Sequence, residues 1–111
     1  MAIAKTEAFT NKEQRLAEFA KAISHPARVA ILKVLAAKNE CVCGEIVEVL
    51  PLAQSTVSQH LKELKDAGLI NGTIVGATSC YCINWEAFTT FKEAFNTLFD
   101  KLHKKNQKAC C

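Results

Sequence analysis

Six cysteines stand in three close pairs: Cys41 and Cys43 about Val42, Cys80 and Cys82 about Tyr81, and Cys110 beside Cys111. Two thiols two residues apart can turn toward one soft ion, and a helix start beneath them would raise the thiolate fraction. The N-terminal residues carry no apolar run suited to a secretory signal, so the cysteines point to metal or redox chemistry before structural disulfides. Cys41-Val42-Cys43 reads as the opening of a short helix and as the candidate metal pair. Cys80 and Cys82 share one face of a β-prone run and read as small strand residues rather than ligands. Asp100 and His103, three apart, read as a surface pair, and Ser24 or His25 as a helix cap ahead of Pro26. No carboxylate, histidine or glycine-rich loop accompanies any cysteine pair in a catalytic arrangement, so the chain reads as a non-enzyme with no organic cofactor.

A second kind of chemistry lies between Gln54 and Ile70. Val57, Leu61 and Leu64 recur at the spacing of one helix face. The other side carries Gln54, Ser55, Thr56, Ser58, Gln59, His60, Lys62 and Lys65, whose donors and acceptors suit base edges in a major groove. Gly68 is placed to stop this helix in a left-handed conformation. Upstream, Gly44 to Leu50 reads as a short helix with Ile46, Val47 and Leu50 inward, ended by Pro51. Two short helices joined by a tight turn read as a helix-turn-helix.

The elements that must position these residues are readable in turn. A first helix spans about Glu7 to Ile23, with Leu16, Phe19, Ala20 and Ile23 in one stripe. A second, apolar almost all round, spans about Pro26 to Ala37 and reads as central and buried. After the polar helix, Thr73 to Val75 and Cys80 to Ile83 flank a turn-rich spacer, giving a hairpin in the place of a wing. Asn84 can cap a last helix from Trp85 to about Lys104, where Phe88, Phe91, Phe95, Leu98 and Leu102 form a seam at spacings of three and four. That seam, with Leu16 and Phe19, suggests a subunit contact as well as intrachain packing. With 111 residues, 50% hydrophobic and 23% charged, the chain reads as one folded domain, its core about 7–104 and its tail 105–111 basic. A net charge of +3 permits nucleic acid without demanding it. No window reaches the length of a membrane span, and the expected location is cytoplasmic.

The segment from Gln54-Ser55-Thr56-Val57-Ser58-Gln59-His60-Leu61-Lys62 to Ala67-Gly68-Leu69, the entry His25-Pro26-Ala27-Arg28, and the order of helices and wing resemble the ArsR/SmtB repressors over about Arg15 to Leu102. The resemblance implies a mainly α fold with a small β-hairpin wing, a winged helix-turn-helix. It implies a homodimer joined through first and last helices, binding double-stranded operator DNA and leaving it when an inducer binds. Cys-Val-Cys in this position implies a thiophilic inducer, As(III) or Sb(III), with Cd, Pb or Zn in relatives. Cys41 and Cys43 are then the expected metal ligands. The arsenic pattern usually continues Asp-Leu-Cys, whereas Gly44-Glu45-Ile46 follows here. That leaves one thiolate missing, and Cys110 or Cys111 is the expected third donor. The alternative on the same fold is a thiol redox or persulfide-sensing repressor.

Three further departures set expectations. Ala53 stands where the family commonly places a serine cap, so the helix could start later at Ser55 or Thr56. Lys62 and Lys65 are offset by Glu63 and Asp66. No charge occurs from Gly68 through Asn84, so phosphate contacts are expected from Arg28, Lys33 or Lys38, or from backbone amides at the helix start, rather than from the wing.

Overall fold

The computed structural model describes residues 8–38, 41–43, 50–75 and 78–106. Helix α1 is Asn11–Ala22, α2 Pro26–Lys38, α3 Gln54–Asp66 and α4 Trp85–Asn106; strands β1 Val42–Cys43, β2 Ile70–Val75 and β3 Thr78–Ile83 complete the order. The expected short helix from Gly44 to Leu50 falls, apart from Leu50, outside the described residues.

Local chemistry sets the helix ends. α1 begins at Asn11 and not near Glu7, because Thr10 and Glu13 form a capping box: the Glu13 N–H donates to Thr10 Oγ1 at 3.1 Å and the Thr10 N–H to Glu13 Oε1 at 3.0 Å. At the head of α2 the ring of His25 decides between the two candidate caps, accepting from the Ala27 N–H at Nδ1 (3.0 Å). Ser24 instead donates its hydroxyl to the Lys21 carbonyl. α3 ends as its glycine requires: Gly68 sits at φ 81°, its N–H donating to Lys65 O and the Leu69 N–H to Leu64 O, so the last carbonyls are satisfied and Leu69 is driven inward. Asn84 joins wing to helix, accepting from the Ala87 N–H at Oδ1 (3.2 Å) and donating from Nδ2 to Gly68 O (3.0 Å).

The wing is wider than the sequence suggests. β2 and β3 pair antiparallel from Ile70↔Ile83 to Val75↔Thr78, and β1 adds a third strand on the other edge of β3, in register Val42↔Tyr81 and Cys43↔Cys80. Cys-Val-Cys therefore enters a sheet where a helix start was expected. Val42, β-branched and 4% exposed, is the anchor of that strand. Across the other edge Gly72 faces Tyr81, whose ring lies 2.6 Å from where a Cβ on residue 72 would stand. A side chain there would displace the tyrosine.

Ile31 and Leu35 of α2, Val57, Leu61 and Leu64 of α3, Leu69, Ile70 and Ile83 of the wing, and Phe19 and Phe91 form one core. α2 is buried along Ala27, Ile31 and Leu35 but leaves Val29 exposed, so it is central without being enclosed. Phe19 and Phe91, expected in a subunit contact, pack against each other inside the chain at 4.9 Å between ring centres, because α1 lies along α4. Leu16, Phe88, Phe95 and Leu98 are half-buried, and Leu102 is exposed.

Candidate nucleic-acid interface and thiol cluster

α3 splits cleanly into two faces. Val57, His60, Leu61 and Leu64 are buried, at spacings of three and four. Gln54, Ser55, Thr56, Ser58, Gln59, Lys62 and Lys65 are all exposed, forming a continuous polar surface aimed away from the core. Gln59 donates to Glu63 Oε1 at 3.3 Å, so its amide is held on this face by a neighbour one turn on. The helix starts at Gln54 with Ala53 as an extended N-cap that makes no side-chain bond; it does not shift to Ser55 or Thr56. The carbonyl of Ala53 accepts from Thr56 and Val57, while no side chain caps the first-turn amides.

His60 does not belong to the exposed face where residue type had placed it. It stands three residues from Val57 and four from Leu64, on the inward stripe, and is 9% exposed. Its Nδ1 accepts from Arg28 Nε at 3.2 Å, and its ring meets that of His25 at 4.4 Å between centres. Arg28 Nη1 also donates to the Ala22 carbonyl at 3.1 Å, so one guanidinium ties the end of α1 to α3. Arg28 is half-buried, and these bonds occupy its Nε and Nη1. An imidazole that accepts at Nδ1 beside a guanidinium is neutral. Burial, then the neighbouring His25 and Arg28, push the His60 pKa below its ordinary value, against a smaller opposing pull from Glu63.

The thiols meet across the sheet. Cys41 and Cys82 form a disulfide with their Cα atoms 4.3 Å apart, 41 residues apart in sequence. Two pairs further along the ladder, past Val42↔Tyr81, Cys43 stands opposite Cys80, which is also disulfide-bonded. The two C-x-C motifs are thus brought together. Cys80 and Cys82 are more than small strand residues, since Cys82 is bonded to a member of the expected metal pair. The common alternation of cysteine with a β-prone residue in both motifs was the signal available in the sequence. Cys110 and Cys111 lie outside the described residues. Asp100 and His103 are both exposed on α4, consistent with a surface pair.

Residues 25–72 match the arsR family of bacterial regulatory proteins. The arsenical resistance operon repressor of Bacillus subtilis is 32% identical over 109 residues, covering 96% of each chain. This chain belongs to the ArsR family. It is accordingly a DNA-binding transcriptional regulator and not an enzyme. An HTH-type transcriptional regulator of Methanocaldococcus jannaschii is 40% identical over 73 residues, covering 65% of this ArsR-family chain and 81% of the relative. The solved structure of an ArsR-like transcriptional regulator from Rhodococcus sp. RHA1 has the same winged-helix fold, with a TM-score of 0.71 at 18% identity over 88% of this chain and 92% of the other. No helix among the described residues is long and apolar enough to cross a membrane.

Proposed function

We propose that this ArsR-family regulator is a single-domain, cytoplasmic, homodimeric repressor whose α3 reads operator DNA, and that trivalent arsenic or antimony bound by cysteine thiolates releases it. The observation that carries the DNA reading is the division of α3: seven polar side chains exposed, with the inward stripe locked into the core. Gln54, Ser55, Thr56, Ser58, Gln59, Lys62 and Lys65 are the proposed base and phosphate contacts, with the uncapped first-turn amides as further phosphate donors. Support for a thiophilic inducer comes from Cys41 and Cys43 and from the name of the Bacillus subtilis relative, an arsenical resistance operon repressor. Thiolates are soft ligands and select such ions over hard ones, and a site that fits them needs several sulfurs within reach of one another. Cys41 is within bonding reach of one second sulfur, that of Cys82, and among the described residues no group of three or more such ligands is gathered.

A fluorescence titration of operator DNA tests both halves. Ser58→Ala with Gln59→Ala should abolish discrimination between operator and random DNA while the fold persists; retained discrimination would assign recognition elsewhere. Arsenite under full reduction should release wild-type protein, and Cys41→Ser or Cys43→Ser should bind operator but resist release. Equal release from wild type and Cys43→Ser would return the pair to a structural role.

The disulfide of Cys41 with Cys82 favours a second reading, a redox switch. Two thiols would give two electrons and two protons to a hydroperoxide, which leaves as alcohol and water, and the new S–S bond would staple β1 to β3. Release by peroxide with none by arsenite would select this reading over the first.

A further inference from the structure

Resting on the thiolate reading of Cys41 and Cys43, we infer that the wing itself completes the inducer site: β3 supplies the missing thiolate, Cys82 foremost. Three observations converge. The Cys82 sulfur lies within bonding reach of that of Cys41, so both can reach one ion without any backbone rearrangement that the ladder forbids. The register sets the second β3 cysteine, Cys80, also disulfide-bonded, opposite Cys43. Cys41 is exposed and Cys80 and Cys82 are half-buried, so a small solute has access.

The ladder also supports β3 as the source of this donor. β3 is fixed on both edges, by β1 and by β2, so Cys82 is held in place before any ion arrives. Cys110 and Cys111 lie outside the described residues, whereas a donor already held beside Cys41 avoids the ordering cost of binding.

The chemistry balances in two steps. Low-molecular-weight dithiols reduce Cys41–Cys82 and the disulfide that holds Cys80: each S–S bond breaks, each freed sulfur gains a proton, and each dithiol leaves as its own cyclic disulfide. Arsenous acid, As(OH)3, then exchanges three hydroxides for three sulfurs. Three As–S bonds form, three As–O bonds break, the three thiol protons leave with the hydroxides as water, and arsenic stays trivalent. The product bridges two strands. β1 is a strand of two residues, the shortest of the sheet; an ion bridging it to β3 would clamp it to the strand whose neighbour β2 packs on α3. Inducer binding would thereby act through the wing on the placement of the recognition helix.

The test uses the full chain reduced by a thiol-free phosphine and titrated with sodium arsenite, reading sulfur-to-arsenic charge-transfer absorption and operator release together. Wild type should bind one arsenite per protomer. Cys110→Ser with Cys111→Ser should match it. Cys82→Ser should need at least tenfold more arsenite for half-release, and Cys80→Ser with Cys82→Ser should lose the three-sulfur absorption. Protection of Cys82 from iodoacetamide by arsenite, mapped on the wild type, reads the same contact without a substitution that could disturb folding. The inference is overturned if the Cys80, Cys82 double variant titrates as wild type, or if arsenite leaves Cys82 open to alkylation. Wild type that neither binds arsenite nor releases DNA would instead overturn the thiolate reading of Cys41 and Cys43 on which this one rests.

Discussion

At the scale of single residues, His60 is where type and position disagree. A polar residue in a DNA-reading helix is easily assigned outward, yet its spacing from Val57 and Leu64 puts it on the apolar stripe, and the core accepts it because Arg28 satisfies Nδ1. The consequence is a pH dependence with a definite sign. In the folded protein His60 has a depressed pKa, so between its folded and ordinary values the unfolded chain holds the extra proton. Stability should therefore be undiminished above the ordinary value of about 6.5 and fall as pH drops toward the folded pKa. Protonation would cost the Arg28 bond and set charge against both Arg28 and His25. His60→Gln can still accept from Arg28 but cannot titrate. Urea midpoints between pH 8 and pH 5 should show a smaller acid loss for this variant than for wild type, and parallel curves would remove His60 as the cause. The cysteines give the complementary lesson. Cys82 was legible as a strand residue, but its partner lies 41 residues away, and a pairing that distant leaves no mark in local periodicity.

At the scale of elements, what was readable is what is local. The three-four spacing of α3, its glycine stop, the β-branched runs of the wing and the Asn84 cap each depend on neighbours within a few residues, and each appears where the pattern put it. The start of α1 was equally local: Thr10 and Glu13 are the signature of a capping box, and the helix begins with it rather than at Glu7. β1 was not readable, because two residues are too few for a period of two to show and its existence depends on an open edge of β3. α3 retains one defect that a substitution can probe. Ala53 is already in the extended conformation of an N-cap and makes no side-chain bond, so Ala53→Ser adds an acceptor for the first-turn N–H groups without moving the chain. The gain should be about 1 kcal/mol, visible as a higher urea midpoint at an unchanged slope. A lower midpoint would mean that the serine hydroxyl does not reach those amides. If the same amides also hold a DNA phosphate, the stabilised variant should bind operator no more tightly, since cap and phosphate compete for one set of donors.

At the scale of the whole molecule, the proposed dimer divides the apolar row of α4 between two tasks. Phe91 meets Phe19 on one side and Phe95 on the other at 4.6 Å, so this stretch is spent on the chain's own core. Further along, Phe99 is 47% and Leu102 54% exposed, and three residues apart they share one helix face. An exposed apolar face at the end of a terminal helix is the feature that a second copy would cover, and two copies would carry two α3 helices to successive major grooves, about 34 Å apart on DNA. The two tasks predict opposite phenotypes. Phe91→Ala should cost about 3–5 kcal/mol of folding stability, as an emptied core aromatic does. Leu102→Asp should leave the protomer folded, because the carboxylate stays wet in the monomer, yet place an unpaired charge in the proposed subunit contact. Sedimentation at micromolar concentration should find Leu102→Asp as a folded monomer, and its operator affinity should fall because one α3 reads a half-site without its twin. A Leu102→Asp protein that sediments as a dimer would move the contact off this face and leave Phe99 and Leu102 as ordinary exposed residues.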